Sequence, residues 1–148
     1  MKKVILILFL LVTFKVADSG TYSTNAVYTI GEINVVGSKW DLLITKIGKV
    51  ESSDGTDLIG DNGRAIGYLQ MHTIMVDEIN RILGSKTYSY EDRWDREKSI
   101  EMFNVYQSYY NPGQNHEIAC RIWNGGPKAR FNKYKKITDK YVQKVFTT

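Results

Sequence analysis

The chain contains few of the residues on which small specialised scaffolds depend. Its 148 residues include one cysteine, two histidines and two prolines. This set cannot form an intramolecular disulfide and does not supply a zinc-finger framework. Cys120 has apolar neighbours and is expected to be a small buried residue. With 43% hydrophobic and 24% charged residues, the composition is typical of a folded globular chain, and the length predicts a single domain.

The chain also lacks a strong excess of charge of either sign. Lysine and arginine number 20 and aspartate and glutamate number 16, a net charge of +4. This excess is too mild for a dedicated nucleic-acid-binding protein, so no nucleic-acid partner is expected. Seven basic residues do lie between Lys128 and Lys144, where Asp139 is the only acid. That segment is either a solvated face or a surface that attracts anionic polymers.

The first residues have the charge order of a secretory signal peptide. Two lysines precede an unbroken apolar run over residues 4–12, and this run is too short to span a bilayer. Small residues just before Gly20 predict cleavage there, so residues 1–19 are interpreted as a signal peptide. The mature chain is then exported and not stably inserted in a membrane. The alternative is an uncleaved anchor, because Lys15 is unusual directly after the apolar run.

Helical segments and turns alternate after an extended lead-in at residues 20–37. Hydrophobic spacing predicts helices over residues 39–51, 73–83, 117–123 and 138–145, and a further helix between Asp95 and Pro112. Glycines among Asp and Asn residues predict turns or a small hairpin within residues 54–67. The fold class is therefore α+β and mainly α-helical, with one domain over residues 38–148.

The first predicted helix ends with a carboxylate on its apolar side. Glu51 follows Ile47 by four residues and Ile44 by seven, which places the three side chains on one helix face. A desolvated carboxyl has a raised pKa and can donate a proton near neutral pH. Glu51 is therefore the candidate general acid. The alternative is that Glu51 turns into the adjacent polar loop and forms hydrogen bonds there.

Three short motifs follow one another along the chain. Glu51-Ser52 ends the first helix, Gly67-Tyr68-Leu69-Gln70 follows the turns, and Trp123-Asn124-Gly125-Gly126 lies near the end. In this order and spacing they resemble the lysozyme-like superfamily, specifically soluble lytic transglycosylases and goose-type lysozymes, over about residues 38–145. Tyr68 stands where a Leu is usual, and Gly125 where Ala is commoner. Neither difference removes a reacting group.

The resemblance implies a lysozyme-like fold that cleaves the β-1,4 bond between N-acetylmuramic acid and N-acetylglucosamine. Glu51 would protonate the glycosidic oxygen, while Ser52, Gln70 and Asn124 would bind the substrate. The expected partner is the glycan strand of peptidoglycan, and no cofactor or metal is implied. We expect an exported monomer that acts in the periplasm, the cell envelope or outside the cell, from a bacterium or from a phage.

The side chains expected to bind sugar also have structural alternatives. The amides of Gln70 and Asn124 offer both donors and an acceptor to a neutral sugar, but they can equally hydrogen-bond their own loops. Amides that serve a ligand should contribute little to stability, whereas amides that hold loops should contribute more. Tyr110 is the aromatic side chain expected to stack on a sugar, although aromatics at helical spacing often fill a core.

The participation of a second carboxylate decides the reaction. Hydrolysis needs a nucleophile or a water-activating base. A lytic transglycosylase can use one Glu, because the acetamido group of the substrate assists and the muramyl 6-hydroxyl attacks. Asp61 resembles the water-positioning Asp of goose-type lysozymes, but Asp-Asn-Gly also favours a turn. We expect a lytic transglycosylase. The alternatives are a muramidase that uses Glu51 and Asp61, and a catalytically silent glycan-binding wall protein.

Overall fold

A computed structural model describes residues 39–148. The predicted signal peptide and the extended lead-in at residues 20–37 lie outside this range. The described residues form five α-helices and a two-stranded antiparallel sheet, which confirms a mainly helical α+β domain. The elements are α1 (Asp41–Ser52), β1 (Ile59–Gly60), β2 (Ala65–Ile66), α2 (Thr73–Leu83), α3 (Arg96–Tyr110), α4 (His116–Gly125) and α5 (Lys135–Thr147).

Local signals fix several element ends, and others differ from expectation. The Asp95 carboxylate accepts hydrogen bonds from the first turn of α3, as predicted, and Gly84 ends α2 in a left-handed conformation. Helix α1 begins later than expected and has Trp40 at its N-cap, with no side-chain cap. Helix α4 continues through Asn124 instead of stopping before it, because the first residue there with positive φ is Gly126.

The core lies between the apolar faces of the helices and the segment that follows β2. Cys120 is fully buried in it, which confirms the expectation for that residue. Other fully buried members are Ile47, Leu69, Val76, Ile79, Met102, Phe103, Ile122 and Val145. None of the helices within residues 39–148 combines the length and apolar character that a membrane-crossing helix requires.

A series of aromatic contacts leads from this core toward the surface. The ring centroid of Phe103 lies 6.0 Å from that of Trp40 and 4.9 Å from that of Trp123. Tyr106 lies 6.1 Å from Trp123 and 4.9 Å from Tyr110. Such tilted and edge-to-face pairs are favourable arrangements of aromatic rings. They join α3 to α4, and the series ends at Tyr110, which lines the cleft described below.

Arg121 fixes α5 against α4. Its buried guanidinium donates to the carbonyl oxygen of Lys135 at 2.8 Å and to Oγ1 of Thr138 at 2.9 Å. It also forms ion pairs with Glu117 at 2.9 Å and Asp139 at 2.8 Å. Removing one partner from a buried charge is costly. The network therefore holds the start of α5 in one position relative to α4.

Gly67 lies where the chain turns from β2 into the Gln70 segment. Its φ is +83°, and a Cβ at this position would come 1.8 Å from the carbonyl oxygen of Arg93. Arg93 is itself buried, and its guanidinium donates to the carbonyl oxygen of Met71 at 3.1 Å. Two segments distant in sequence therefore pack backbone to backbone at Gly67. Only glycine satisfies both the conformation and the space.

Replacing Gly67 with alanine should strongly destabilise the domain. We expect Gly67→Ala to lower the free energy of unfolding by about 2–4 kcal/mol, through left-handed strain and the clash with the Arg93 backbone. Gly63→Ala is the matched control, because Gly63 also has a positive φ, +85°, but nothing lies within 4 Å of its added Cβ. That variant should lose about 1 kcal/mol. Urea denaturation measures both, and equal losses would contradict the packing argument.

Candidate functional site

A cleft of about 830 Å³ lies between the end of α1, the β1–β2 hairpin and helices α2, α3 and α4. Five residues selected from the sequence line it together: Glu51, Asp61, Gln70, Tyr110 and Asn124. The structure adds lining residues that the sequence did not single out, among them His72, Glu78 and Tyr106. Within residues 39–148, no group of three or more His, Cys, Asp or Glu side chains is arranged to hold a metal ion.

Glu51 occupies the last turn of α1 and is half-buried. Its Oε1 accepts a hydrogen bond of 2.5 Å from the hydroxyl of Tyr141 on α5. Burial raises the pKa of the Glu51 carboxyl above its usual value, while the Tyr141 hydrogen bond and the positive charge of Lys144 act in the opposite direction. The desolvation effect is the largest of the three. Glu51 therefore keeps its proton to a higher pH than an exposed glutamate does.

Tyr141 is a site residue that the sequence reasoning missed. It lies three residues after Thr138 and four before Val145, both of which are buried on the inner face of α5. This helical spacing already places Tyr141 on the inner face. The identity of its partner, 90 residues earlier in the chain, is set by tertiary packing. Burial, together with the charge of Glu51, raises the pKa of Tyr141 well above its usual range, so its hydroxyl remains the donor.

Ser52 is not part of the cleft, which contradicts its predicted role in substrate binding. The side chain is fully buried. Its hydroxyl donates to the carbonyl oxygen of Tyr68 at 2.8 Å and accepts from the N–H of Gly55 at 2.9 Å. A serine engaged in this way has no hydrogen-bonding capacity directed toward a ligand. Ser52 instead fixes the turn after α1 against the Tyr68 segment.

Gln70 lines the cleft, but its amide also holds the loop that carries it. Nε2 lies 3.0 Å from the carbonyl oxygen of Asp57 and 3.0 Å from that of Gly67. Both amide hydrogens therefore have partners within the protein. Of the two alternatives that the sequence left open for Gln70, the loop-holding one is present, because its backbone is left-handed (φ 49°) and its amide turns back onto the loop. Oε1 is the atom of this amide that can accept a hydrogen bond from a ligand.

Asn124 differs from Gln70 in this respect. It lies in the last turn of α4, is exposed and lines the cleft. Across residues 39–148, its side-chain amide has no hydrogen-bond partner. Its donors and acceptor therefore remain available to a ligand, and the role of this amide in substrate binding stays a prediction.

Asp61 is held at the edge of the cleft in the turn between β1 and β2. One carboxylate oxygen lies 2.6 Å from the guanidinium of Arg64. The other lies 3.5 Å from Nε2 of His72, the residue directly before α2. The sequence left open whether Asp61 forms a turn or lines the site. It does both, because the turn between β1 and β2 lies at the cleft. Its contact with His72 had no sequence signal, because the two residues meet only when the hairpin folds against α2.

Tyr110 presents its ring to the cleft while its hydroxyl is engaged. That hydroxyl donates to Glu78, and Glu78 in turn forms a two-pronged ion pair with Arg81 at 2.7 Å. The Arg81 hydrogen bonds are the main reason that the pKa of Glu78 is lowered. Glu78 is therefore a poor proton donor at neutral pH. The hydrogen bonds among Tyr110, Glu78 and Arg81 hold the ring of Tyr110 in place at the wall of the cleft.

The comparisons with known proteins identify no relative of this chain. No protein-family model matches the chain, and no curated protein or solved structure matches it. A function is therefore inferred from the cleft and from the three sequence motifs.

Gln70 and Asn124 should respond differently to truncation. We expect Gln70→Ala to lower the free energy of unfolding by about 1–2 kcal/mol, because two loop carbonyls lose their donor. Asn124→Ala should stay within about 0.5 kcal/mol of the wild type, since its amide makes no internal bond. Urea denaturation of the two variants provides the measurement. Equal losses would show that Asn124 is also a structural amide.

Removing the Tyr141 hydroxyl should raise the pKa of Glu51 further. The hydrogen bond stabilises the charged carboxylate, so Tyr141→Phe shifts the equilibrium toward the protonated form. The carboxyl carbon of Glu51, followed by NMR across a pH titration, reports this shift. Tyr134→Phe is the control, because Tyr134 makes no hydrogen bond to Glu51. An unchanged or lowered pKa of Glu51 in Tyr141→Phe would contradict the assignment.

The raised pKa of Glu51 also makes the stability of the domain depend on pH. The pKa of Glu51 is higher in the folded state than in the unfolded chain. Its contribution to stability is therefore complete below the unfolded pKa and is lost as the pH rises through the folded pKa. Tyr141→Phe extends that loss to higher pH.

Proposed function

We propose that this chain cleaves the glycan strands of peptidoglycan at the β-1,4 bond between N-acetylmuramic acid and N-acetylglucosamine. The proposed reaction is that of a lytic transglycosylase, with Glu51 as the single acid and base. One observation carries the proposal: a half-buried carboxyl with a raised pKa lies in the same cleft as Gln70, Tyr110 and Asn124. A lysozyme-like arrangement of the domain, export of the chain and action as a monomer belong to the same proposal.

The two proton transfers require opposite states of Glu51. First, the carboxyl gives its proton to the glycosidic oxygen, and the bond from C1 to that oxygen breaks as the acetamido oxygen of the muramyl residue bonds to C1. This acetamido bond breaks in the second step. The carboxylate then removes the proton of the 6-hydroxyl as O6 bonds to C1, which yields a 1,6-anhydro end. Burial of Glu51 favours the first state, and the Tyr141 hydrogen bond and the Lys144 charge favour the second.

The cleft offers suitable contacts for sugar rings. Its volume of about 830 Å³ falls in the usual range for ligand sites. Tyr110, which is partly exposed, supplies aromatic surface for the apolar face of a sugar ring, whereas Tyr106 and Trp123 are buried. The open amide of Asn124 and Oε1 of Gln70 supply polar contacts to acetamido and hydroxyl groups. These groups line the same cleft as Glu51.

Hydrolysis is the second candidate, and the position of Asp61 favours it. This carboxylate lines the same cleft as Glu51 and is held by Arg64 and His72. An aspartate fixed in this way is suited to orient a water molecule for attack at C1. The reaction would then release a reducing muramyl end. The protein would be a muramidase of the goose-type kind.

Glu51→Gln tests the central role of the carboxyl. We expect a loss of at least about 100-fold in turnover on purified peptidoglycan, the scale of general acid catalysis. The variant should fold and should be more stable above the raised pKa of Glu51, because a neutral amide costs less to bury than a charge. Activity like that of the wild type would refute the assignment.

Mass spectrometry of the released muropeptides decides between the two reactions. The wild type should release 1,6-anhydromuramyl ends, and Asp61→Asn should leave their yield nearly unchanged. Reducing muramyl ends that disappear in Asp61→Asn would instead establish hydrolysis. Binding of glycan strands without any released product would identify a silent glycan-binding protein.

A further inference from the structure

Arg130 is a cation held beside the cleft without an acidic partner. It ends the 3₁₀ turn Pro127–Arg130, whose first residue lines the cleft. Its Nη1 donates to the carbonyl oxygen of Tyr110 at 3.2 Å. Its guanidinium carbon lies 5.8 Å from the ring centroid of Tyr110 and 4.9 Å from that of Phe131. Among residues 39–148, no carboxylate forms an ion pair with it.

Three other arginines of the described residues each pair with a carboxylate. Arg81 is neutralised by both oxygens of Glu78, and Arg64 pairs with Asp61. Arg121 has two carboxylate partners. Each of these charges already has its anion within the protein. Arg130 is exposed, and within residues 39–148 only its Nη1 donates a hydrogen bond, to the carbonyl oxygen of Tyr110, although a guanidinium has five N–H donors.

The aromatic contacts fix Arg130 for binding. A guanidinium that packs against two rings keeps its plane and loses less side-chain entropy when a ligand binds. Its planar fork matches the two oxygens of a carboxylate. Lys128, in the same turn, adds exposed positive charge. Glu78, an acid of the cleft wall, is already engaged by Arg81 and Tyr110.

We propose that Arg130 binds a carboxylate carried by the lactyl substituent of a muramyl residue, either the free lactyl carboxylate or a carboxylate of the peptide attached to it. This inference rests on the proposed function, because it gives a chemical identity to a ligand of the same cleft. The sugar rings of the strand are neutral, and its carboxylates lie on the lactyl ether or on the peptide attached there. Arg130 contacts Tyr110, which lines the cleft, so an anion bound there lies beside the sugar site. The cleft thereby selects acidic muramyl ligands over neutral N-acetylglucosamine ligands.

The test measures binding without turnover, in full-length Glu51→Gln protein. Three ligands are titrated by calorimetry: a muramyl disaccharide with its peptide, the same disaccharide with a free lactyl carboxylate, and a neutral N-acetylglucosamine oligomer. Adding Arg130→Gln should weaken binding of an acidic ligand about tenfold and that of the neutral oligomer less than twofold. Arg130→Lys should recover part of the loss, because it restores the charge but not the fork.

The control removes the same charge elsewhere. Lys140 is exposed on α5 and does not line the cleft, so Lys140→Gln should leave all three affinities within twofold. A loss confined to the peptide-bearing ligand assigns the carboxylates of the peptide. A loss with the stripped disaccharide assigns the lactyl carboxylate.

Two results would overturn the proposal. Equal weakening for the neutral oligomer would show that Arg130 supports the cleft or the sugar rings rather than an anion. Unchanged binding of both acidic ligands would show that it binds none. In either case, binding of the neutral oligomer to Glu51→Gln leaves the proposed function standing. Failure of all three ligands to bind that protein would overturn both proposals together.

Discussion

The hydrogen bond between Glu51 and Tyr141 joins the end of the first helix to the last helix of the described domain. Glu51 is half-buried because α5 packs against α1, and a carboxyl in that position requires a polar partner. Tyr141 supplies the partner without adding a full charge. The position of α5 in turn depends on Arg121, which holds the start of that helix through Lys135 and Thr138. Glu51 therefore has its hydrogen-bond partner at the cleft only when α5 is folded against α1.

Opposing effects act on the pKa of Glu51. An exposed carboxyl is ionised at neutral pH and is a poor acid, whereas a fully buried carboxyl without partners would hold its proton too firmly to act as a base. Desolvation raises the pKa of Glu51, and the hydroxyl of Tyr141 and the charge of Lys144 oppose that rise. A single residue that must give and then take a proton needs this balance.

Helix ends that carry a local signal were predictable from the sequence. The bounds of α2 agree at residues 73–83, because Gly84 marks its end, and the α3 cap at Asp95 was found for the same reason. Functions that depend on loop packing were not predictable. Ser52 and Gln70 stand in recognisable motifs, yet only the folded turns show that the serine is buried and that the amide is engaged. Tyr141 had a predictable face but no predictable partner.

The segment between α1 and α2 shows why Ser52 can matter to the cleft without touching it. Several of its non-glycine residues adopt left-handed φ values, including 48° at Asp61 and 49° at Gln70. A left-handed conformation costs about 1–3 kcal/mol at a residue other than Gly, Asn or Asp. It persists where the surrounding structure holds the backbone in place. Asp61 is a residue type that tolerates this conformation, but Gln70 is not. The strained backbone of Gln70 is stabilised by its own side-chain amide, which donates to the carbonyl oxygens of Asp57 and Gly67. Ser52 fixes the same segment by donating to the carbonyl oxygen of Tyr68. The side chains that face the cleft are thus positioned before any ligand arrives, because the energetic cost of their backbone has already been offset by folding.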